Sequence, residues 1–188
     1  MFEFEGLQYA RVSEIISDPS EFAKIPKSVL ENKQRIGTNV HEAIKTEIDG
    51  DFPILQADEV GYFVSFMEWY GALKPRFIET ERRYFDEEKR ITGQVDGIVM
   101  IKGASLSVPM LIDFKTSTTE SPKWVLQAHL YHYLIQKSGL IIAPRMIFLK
   151  LDKDGHLPRV IDYLWSSNTH LKCMSLIDQF WSKQPSQK

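Results

Sequence analysis

The chain of 188 residues is 43% hydrophobic and 26% charged, with a formal net charge of −2. These values describe one ordinary globular domain able to bury about 70% of its unfolded surface, and they argue against broad, nonspecific affinity for nucleic acid. No apolar run approaches the roughly 18 residues of a membrane span, and the acidic start Met1–Glu5 lacks the basic-then-apolar order of a signal peptide, so a cytoplasmic protein is expected.

Residues 1–17 predict a short strand around Phe2–Phe4, a Gly6-Leu7 turn and a helix from about Ser13. Asp18-Pro19-Ser20 and Ile25-Pro26 then break the chain. From Ser28 to Ile48, the residues Val29, Leu30, Ile36, Val40, Ile44 and Ile48 recur at mixed spacings of three and four, which predicts a helix. Gly37 interrupts it at a cost of roughly 1 kcal/mol relative to alanine. It either divides two helices or lets a backbone or ligand approach. Asp49–Pro53 forms a loop, and residues 1–57 read as a mainly helical N-terminal part. The next helix is expected from about Asp58 to Leu73, with Val60, Phe63, Val64, Met67 and Tyr70 on one face and Phe66 and Trp69 widening it.

Lys74-Pro75 ends that helix and the texture changes. Phe77–Phe85 alternates, placing Glu79, Glu81 and Arg83 on one face of a strand. Asp86-Glu87-Glu88 is a hairpin turn into a second strand, Arg90–Ile101, which carries Gly93-Gln94-Val95-Asp96-Gly97. Gly103–Ser107 connects to a third strand, Met110–Lys115. A helix follows over about Pro122–Lys137, with Leu126, Leu130, Tyr133 and Leu134 as its apolar stripe. Gln127 and Tyr131 stand four apart on a neighbouring face. Arg145–Leu151 and Leu157–Leu164 read as a hairpin pair around Asp152–Gly155, and a last helix spans about Asn168–Trp181. That helix holds the single cysteine, Cys173, which excludes an intrachain disulfide or a four-cysteine zinc or iron–sulfur site. Residues 182–188 are expected to fray. Helices, a three-stranded meander, a helix, two strands and a helix predict an α/β (α+β) sandwich.

Within the third strand, an acid and a lysine stand two residues apart. Asp113 and Lys115 therefore project to one face while Ile112 and Phe114 pack on the other. Alone, this pair reads as a structural salt bridge at a strand end. Its neighbours change the reading, because Asp96 and Glu81 fall on adjacent strands about 4.8 Å apart. Two like charges at about 4 Å cost roughly 4 kcal/mol at an effective dielectric near 20. A divalent cation removes that cost, and oxygen ligands with at most one imidazole suit Mg²⁺ or Mn²⁺ better than zinc. Cation, acids and Lys115 together make a site for phosphodiester hydrolysis.

The arrangement resembles the PD-(D/E)XK nuclease superfamily, in its RecB-like, phage-type exonuclease branch, which includes the mitochondrial genome maintenance exonuclease type. Gly37-Thr38-Asn39-Val40-His41 is similar to the branch's G-T-x-x-H helix. Thr80-Glu81 and Gly93-Gln94-Val95-Asp96 resemble its T-E and G-x-V-D strands. Asp113-Phe114-Lys115-Thr116-Ser117 matches the D-[FW]-K-T-S core, and Gln127-Ala128-His129-Leu130-Tyr131 the Q-x-x-x-Y helix. The resemblance implies a single nuclease domain over 1–188 with a restriction-endonuclease-like three-layer fold, a central mixed sheet flanked by helices. It implies His41, Asp96, Asp113 and the Phe114 carbonyl as metal ligands, with Lys115 catalytic and Glu81 assisting in the acidic cluster. Gln127 and Tyr131 would orient the site or contact the DNA backbone. The implied activity is Mg²⁺- or Mn²⁺-dependent exonuclease action on DNA with free ends, in recombination, repair or phage DNA processing, in a bacterial or phage-infected cell. Two departures stand out: Ile36 replaces the basic residue common before the glycine, with Arg35 adjacent, and the cysteine cluster of iron–sulfur members is missing. No G-x-x-x-x-G-K-[ST] phosphate loop is present, so unwinding would need a helicase or recombination partner.

Two other readings stay open: a structure- or sequence-specific endonuclease, which would cut closed circles, and a non-catalytic nucleic-acid-binding module on the same fold. His129 and His132 read as structural or solvated. Trp124 could stack on a base, although helix packing also accounts for it.

Overall fold

The computed structural model describes residues 1–18, 25–101 and 108–184. Pro19 and Ser20 of the expected chain break, the Gly103–Ser107 connection and residues 185–188 of the expected tail lie outside the described residues. In order, the elements are β1 (Phe2–Phe4), β2 (Leu7–Arg11), α1 (Val12–Ile16), α2 (Lys27–Ile48), α3 (Val60–Leu73), β3 (Arg76–Asp86), β4 (Ile91–Met100), β5 (Met110–Lys115), α4 (Trp124–Lys137), β6 (Arg145–Lys150), β7 (Arg159–Leu164) and α5 (Ser167–Ser182). Seven strands form one mixed sheet in the order β1-β2-β4-β5-β6-β7, with β3 also paired to β4. The meander β3-β4-β5 is antiparallel, and α4 returns the chain so that β6 lies parallel to β5. This is the α/β class expected, and it is consistent with a restriction-endonuclease-like sandwich.

Helices cover both faces because the central strands are apolar on both sides. Met110 through Phe114 are all buried. On one face α1, α4 and α5 pack through Val12, Ile15, Leu130, Leu134, Cys173 and Ile177 onto Leu111, Met146 and Phe148. On the other, Val40 and Ile44 of α2 and Phe66 and Trp69 of α3 pack onto Ile112, Phe114, Ile147 and Leu149. Cys173 is fully buried in the first of these cores and burial pushes its thiol up to about 11, in keeping with a packing role. No helix of the described residues is long and apolar enough to cross a membrane.

Local chemistry sets the boundaries. The Asp86 carboxylate accepts from the Glu88 and Lys89 N–H groups at 2.9 and 3.1 Å, which closes the β3–β4 turn. Lys74 adopts a left-handed conformation and its N–H reaches the Tyr70 carbonyl, ending α3 before Pro75. Ser166 caps α5 by accepting from the Thr169 N–H at 3.3 Å.

Three expectations need correction. The segment Leu7–Arg11 is a strand, so the N-terminal part contributes β1 and β2 as well as helices. The strand pairs with β4 at only Ala10 and Arg11, a contact with no local signature. Gly37 divides nothing: α2 runs unbroken from Lys27 to Ile48. In α3 the buried side chains are Ser65, Phe66 and Trp69, while Val60 and Val64 are exposed. The α3 surface is apolar all round, so its pattern did not identify the face turned to the sheet.

Candidate active site

The site lies where β4 and β5 part. Their ladder runs Val99↔Met110, Ile98↔Leu111, Gly97↔Ile112 and ends there. Beyond it, the Phe114 N–H donates to Asp96 Oδ2 at 2.6 Å, so a side-chain carboxylate takes the place of the strand backbone. β5 itself continues, held by β6 through Lys115↔Lys150. A fork therefore opens in the sheet with acidic groups at its base.

Strict alternation would not aim these groups correctly. Val95 and Ile98, three residues apart, both belong to the α4-side core, so the alternation of β4 breaks between them while its register with β3 stays one-to-one. On β3, the Tyr84 hydroxyl donates to Glu79, five residues away, although period-two geometry would put them on opposite faces. Between them Glu81 has a φ of 49°, the left-handed region, and the β3–β4 register passes from Thr80↔Gly97 to Arg82↔Val95. The two irregularities face each other and turn Glu81 and Asp96 together toward α2. The expectation that Glu79 shares the face of Glu81 fails for this reason.

His41, one turn beyond Gly37 on α2, meets them. Its Nδ1 lies 3.2 Å from Asp96 Oδ1 and 3.7 Å from Glu81 Oε1, and its Nε2 lies 3.0 Å from the Phe114 carbonyl oxygen. Burial alone would lower the His41 pKa, but Asp96, Glu81 and Asp113 together raise it well above the ordinary value. Asp96 responds in the opposite sense: burial raises it, and His41, Lys115 and the Phe114 N–H outweigh that and lower it. One ligand atom from each of His41, Glu81 and Asp96 lies within 4.8 Å of the others, a spacing that suits a shared metal ion. An open cleft of about 360 Å³ lined by Gly37, Thr38, His41, Glu42, Glu81 and Gln94 gives access.

Asp113 and Lys115 project to the α4 face, as period two requires, with Ile112 and Phe114 buried in the opposite core. Lys115 Nζ is 2.5 Å from Asp113 Oδ2 and donates to Gln127 Oε1 at 3.0 Å. Asp113 Oδ2 is buried, and its close partner is that ammonium. Burial, then repulsion from Asp96, raises the Asp113 pKa to about 7, against the opposing pull of Lys115. Gln127 donates from Nε2 to the Tyr131 hydroxyl at 3.0 Å, and burial followed by Asp113 and Asp96 raises the Tyr131 pKa. Phe148 and Trp124 flank the Lys115 ammonium, their ring centres 4.9 and 5.7 Å away.

Gly93 explains how α4 comes so close. A Cβ there would sit 2.7 Å from Tyr131 Cε1, so only glycine lets the ring lie on β4. Trp124 is buried against Phe148, which assigns it to packing rather than base stacking. His129 and His132 are buried and bonded to the Val125 and Ala143 carbonyls, away from the fork. Arg35 is taken up by ion pairs with Asp58 and Glu59.

The structure thus brings His41, Glu81 and Asp96 into one group, with the Phe114 carbonyl beside it. It places Asp113, Lys115, Gln127 and Tyr131 in a second group joined to the first through Phe114 and the Asp96–Asp113 interaction. The metal-capable trio contains Glu81 where the sequence expectation has Asp113, whose carboxylate is turned to Lys115. Sequence reasoning gave no role to Gln94, whose side chain reaches Glu81 at 2.6 Å. Its position inside Gly93–Asp96 was the available signal.

The donor set itself fits a hard divalent cation. It offers carboxylate oxygens, one imidazole and a backbone carbonyl.

No protein-family model matches the sequence, and no curated protein matches it significantly. Solved structures do. A protein from Eubacterium rectale described as a candidate exonuclease aligns with a TM-score of 0.52 at 10% identity, over 94% of this chain and 79% of that one. SSO0001 aligns at a TM-score of 0.49 with 15% identity, over 96% of this chain and 80% of its own. LHK-Exo, solved in complex with dAMP, aligns at 0.49 with 12% identity over 93% and 87%. At such identities the likeness is one of fold.

Proposed function

We propose that the chain is a metal-dependent DNA exonuclease, a cluster-free member of the RecB-like branch that hydrolyses phosphodiester bonds from DNA ends with Mg²⁺ or Mn²⁺. The observation that carries this reading is the convergence of His41, Glu81 and Asp96 at the fork, one strand away from the Asp113–Lys115 pair. The fold shared with a protein described as a candidate exonuclease adds support.

His41, Asp96, Glu81 and the Phe114 carbonyl would hold the cation, with Asp113 within reach of the same charge. When bound, the cation would neutralise the crowded carboxylates, polarise a phosphodiester oxygen and lower the pKa of a neighbouring water. Lys115 serves the chemistry from the other side. Its ammonium is fixed by Gln127 and by two flanking rings, so it can orient the attacking water or stabilise negative charge developing on the phosphate. Asp113 keeps that ammonium in place and, with a raised pKa, can accept a proton near neutral pH. Gln127 and Tyr131 order Lys115 and face the bound backbone. Recombination, repair or phage DNA processing is the setting such an activity fits, with any unwinding supplied by a partner.

The test is digestion of end-labelled single-stranded, duplex and covalently closed circular DNA with Mg²⁺ or Mn²⁺, with Lys115→Ala as control. Loss of linear DNA with survival of the circle is the expected result. Cutting of the circle would replace the exonuclease with an endonuclease. Near-normal cleavage by pure Lys115→Ala would remove Lys115 from the chemistry, and failure to cut any DNA would leave a non-catalytic binding module.

A further inference from the structure

We infer that Gln94 and Arg83 are positioning residues which hold Glu81 in its metal-facing geometry and so set the affinity of the cation site. The inference rests on the cation site proposed above and adds to it two residues that act on the cation through Glu81. Glu81 needs such support. Its backbone sits in the left-handed region, which a non-glycine residue adopts at some cost, and its carboxylate borders an open cleft. Left alone, a carboxylate on that backbone has several rotamers and a solvent-facing alternative.

The surrounding bonds remove that freedom. Gln94 Nε2 donates to Glu81 Oε2 at 2.6 Å, leaving Oε1 toward His41 Nδ1. The Gln94 amide cannot turn over, because its own Oε1 accepts from Arg83 Nη2 at 2.6 Å. A flipped amide would set an oxygen against Glu81 and an NH₂ against the guanidinium. Arg83 is itself anchored: its guanidinium lies 4.3 Å from the centre of the Phe2 ring. The chain Phe2–Arg83–Gln94–Glu81 therefore runs from the outer strand β1 to the metal-facing oxygen. It fixes which carboxylate oxygen is presented and keeps the Arg83 charge one residue removed from the cation. Direct pairing of Arg83 with Glu81 would compete with the metal for that carboxylate. The interposed amide transmits orientation while keeping the two charges apart.

Partners that orient metal ligands typically matter by about 10- to 100-fold in metal affinity. The experiment is Mn²⁺ binding to the full chain by titration calorimetry and by loss of the free Mn²⁺ paramagnetic signal, with thermal melts in chelator beside it. Gln94→Leu should weaken Mn²⁺ by about tenfold or more. Arg83→Leu, which frees the Gln94 amide, is the second variant and should weaken Mn²⁺ at least about threefold, a lesser effect than direct loss of Gln94. In a Glu81→Gln background the Gln94→Leu change should add less than about twofold, since its effect passes through Glu81. Unchanged Mn²⁺ affinity in folded Gln94→Leu and Arg83→Leu, or a full additive loss in the Glu81→Gln background, would overturn the inference and leave the cation site standing. A wild-type chain that binds no Mn²⁺ overturns the cation site itself, and the inference with it. Gln94-dependent Mn²⁺ binding by a chain that cuts no DNA would sustain the inference while refuting the exonuclease.

Discussion

The two ends of the β4–β5 pair are built on opposite terms. At Gly97–Val99 against Met110–Ile112 the ladder is complete and the side chains Ile98, Val99, Leu111 and Ile112 are fully buried and apolar. A few residues on, the same strands part, a carboxylate stands in for a strand, Glu81 takes a left-handed backbone and the buried Asp113 has its pKa raised to about 7. A non-glycine residue held in the left-handed region costs about 1–3 kcal/mol. The closed end supplies stability and the open end gives some of it up to gather side chains that could hold a metal ion.

Substitutions at each end should separate these roles. The largest effect belongs to Lys115→Ala, expected to cut the cleavage rate by about 10³-fold or more, roughly 4 kcal/mol of transition-state stabilisation, in a chain that still melts cooperatively. Single-turnover digestion of end-labelled DNA checks it. Ile112→Ala, at the closed end, should cost about 2–5 kcal/mol of folding stability through a cavity between the sheet and α2–α3, read by urea denaturation. Its Mn²⁺ affinity in the folded state should stay near wild type. Equal damage by both substitutions to both measurements would erase the distinction between the ends.

Gly93→Ala sits between the two. The added Cβ would press on Tyr131 at 2.7–2.9 Å and on Leu134 at 3.0 Å. Overpacking of this kind costs about 1–3 kcal/mol. Tyr131 accepts from Gln127, which positions Lys115, so the substitution should also slow cleavage. Stability loss with unaltered cleavage would show that α4 can retreat from β4 without disturbing Lys115.

The contrast also explains what could be read from the sequence. The closed end is legible, because Met110–Phe114 is an apolar run broken only by Asp113, and the strand's bounds are those predicted. So are His41 on a helix and Gln127 and Tyr131 four apart on the helix after β5. The open end depends on departures from regular geometry. Nothing local marks Glu81 as left-handed or shows that Val95 and Ile98 share a face, so Glu79 was grouped with Glu81 and Gln94 was given no task. The turn of Asp113 toward Lys115 depends on a charge balance among side chains from three elements, which no spacing rule encodes.

The smallest effects should appear as a difference in pH response between the fork and the histidines under α5. At the fork, burial and then Asp96 raise Asp113 to about 7 from an unfolded value of 3.8. A folded pKa above the unfolded one gives stability that is full below about 4 and is lost as pH rises through about 7. Asp96 has its own window below about 4, outside that range. In chelator, Asp113→Asn should therefore gain melting temperature over wild type progressively from pH 4 to 7 and level off above it. Under α5 the sign reverses. Burial lowers the pKa of His129 and His132 from 6.5, and His129 Nε2 accepts from the Ser166 N–H at 3.1 Å, an acceptor lost on protonation. Stability there is full above about 6.5 and falls as pH drops through the lowered folded values. A neutral hydrogen bond contributes about 0.5–1.5 kcal/mol, so the loss should be modest. His129→Gln can donate to the Val125 carbonyl and accept from Ser166 without titrating. It should lose less stability than wild type between pH 7 and 5, while its Mn²⁺ affinity and cleavage stay unchanged. A melting profile for His129→Gln parallel to wild type across that range would show that His129 does not carry the acid loss.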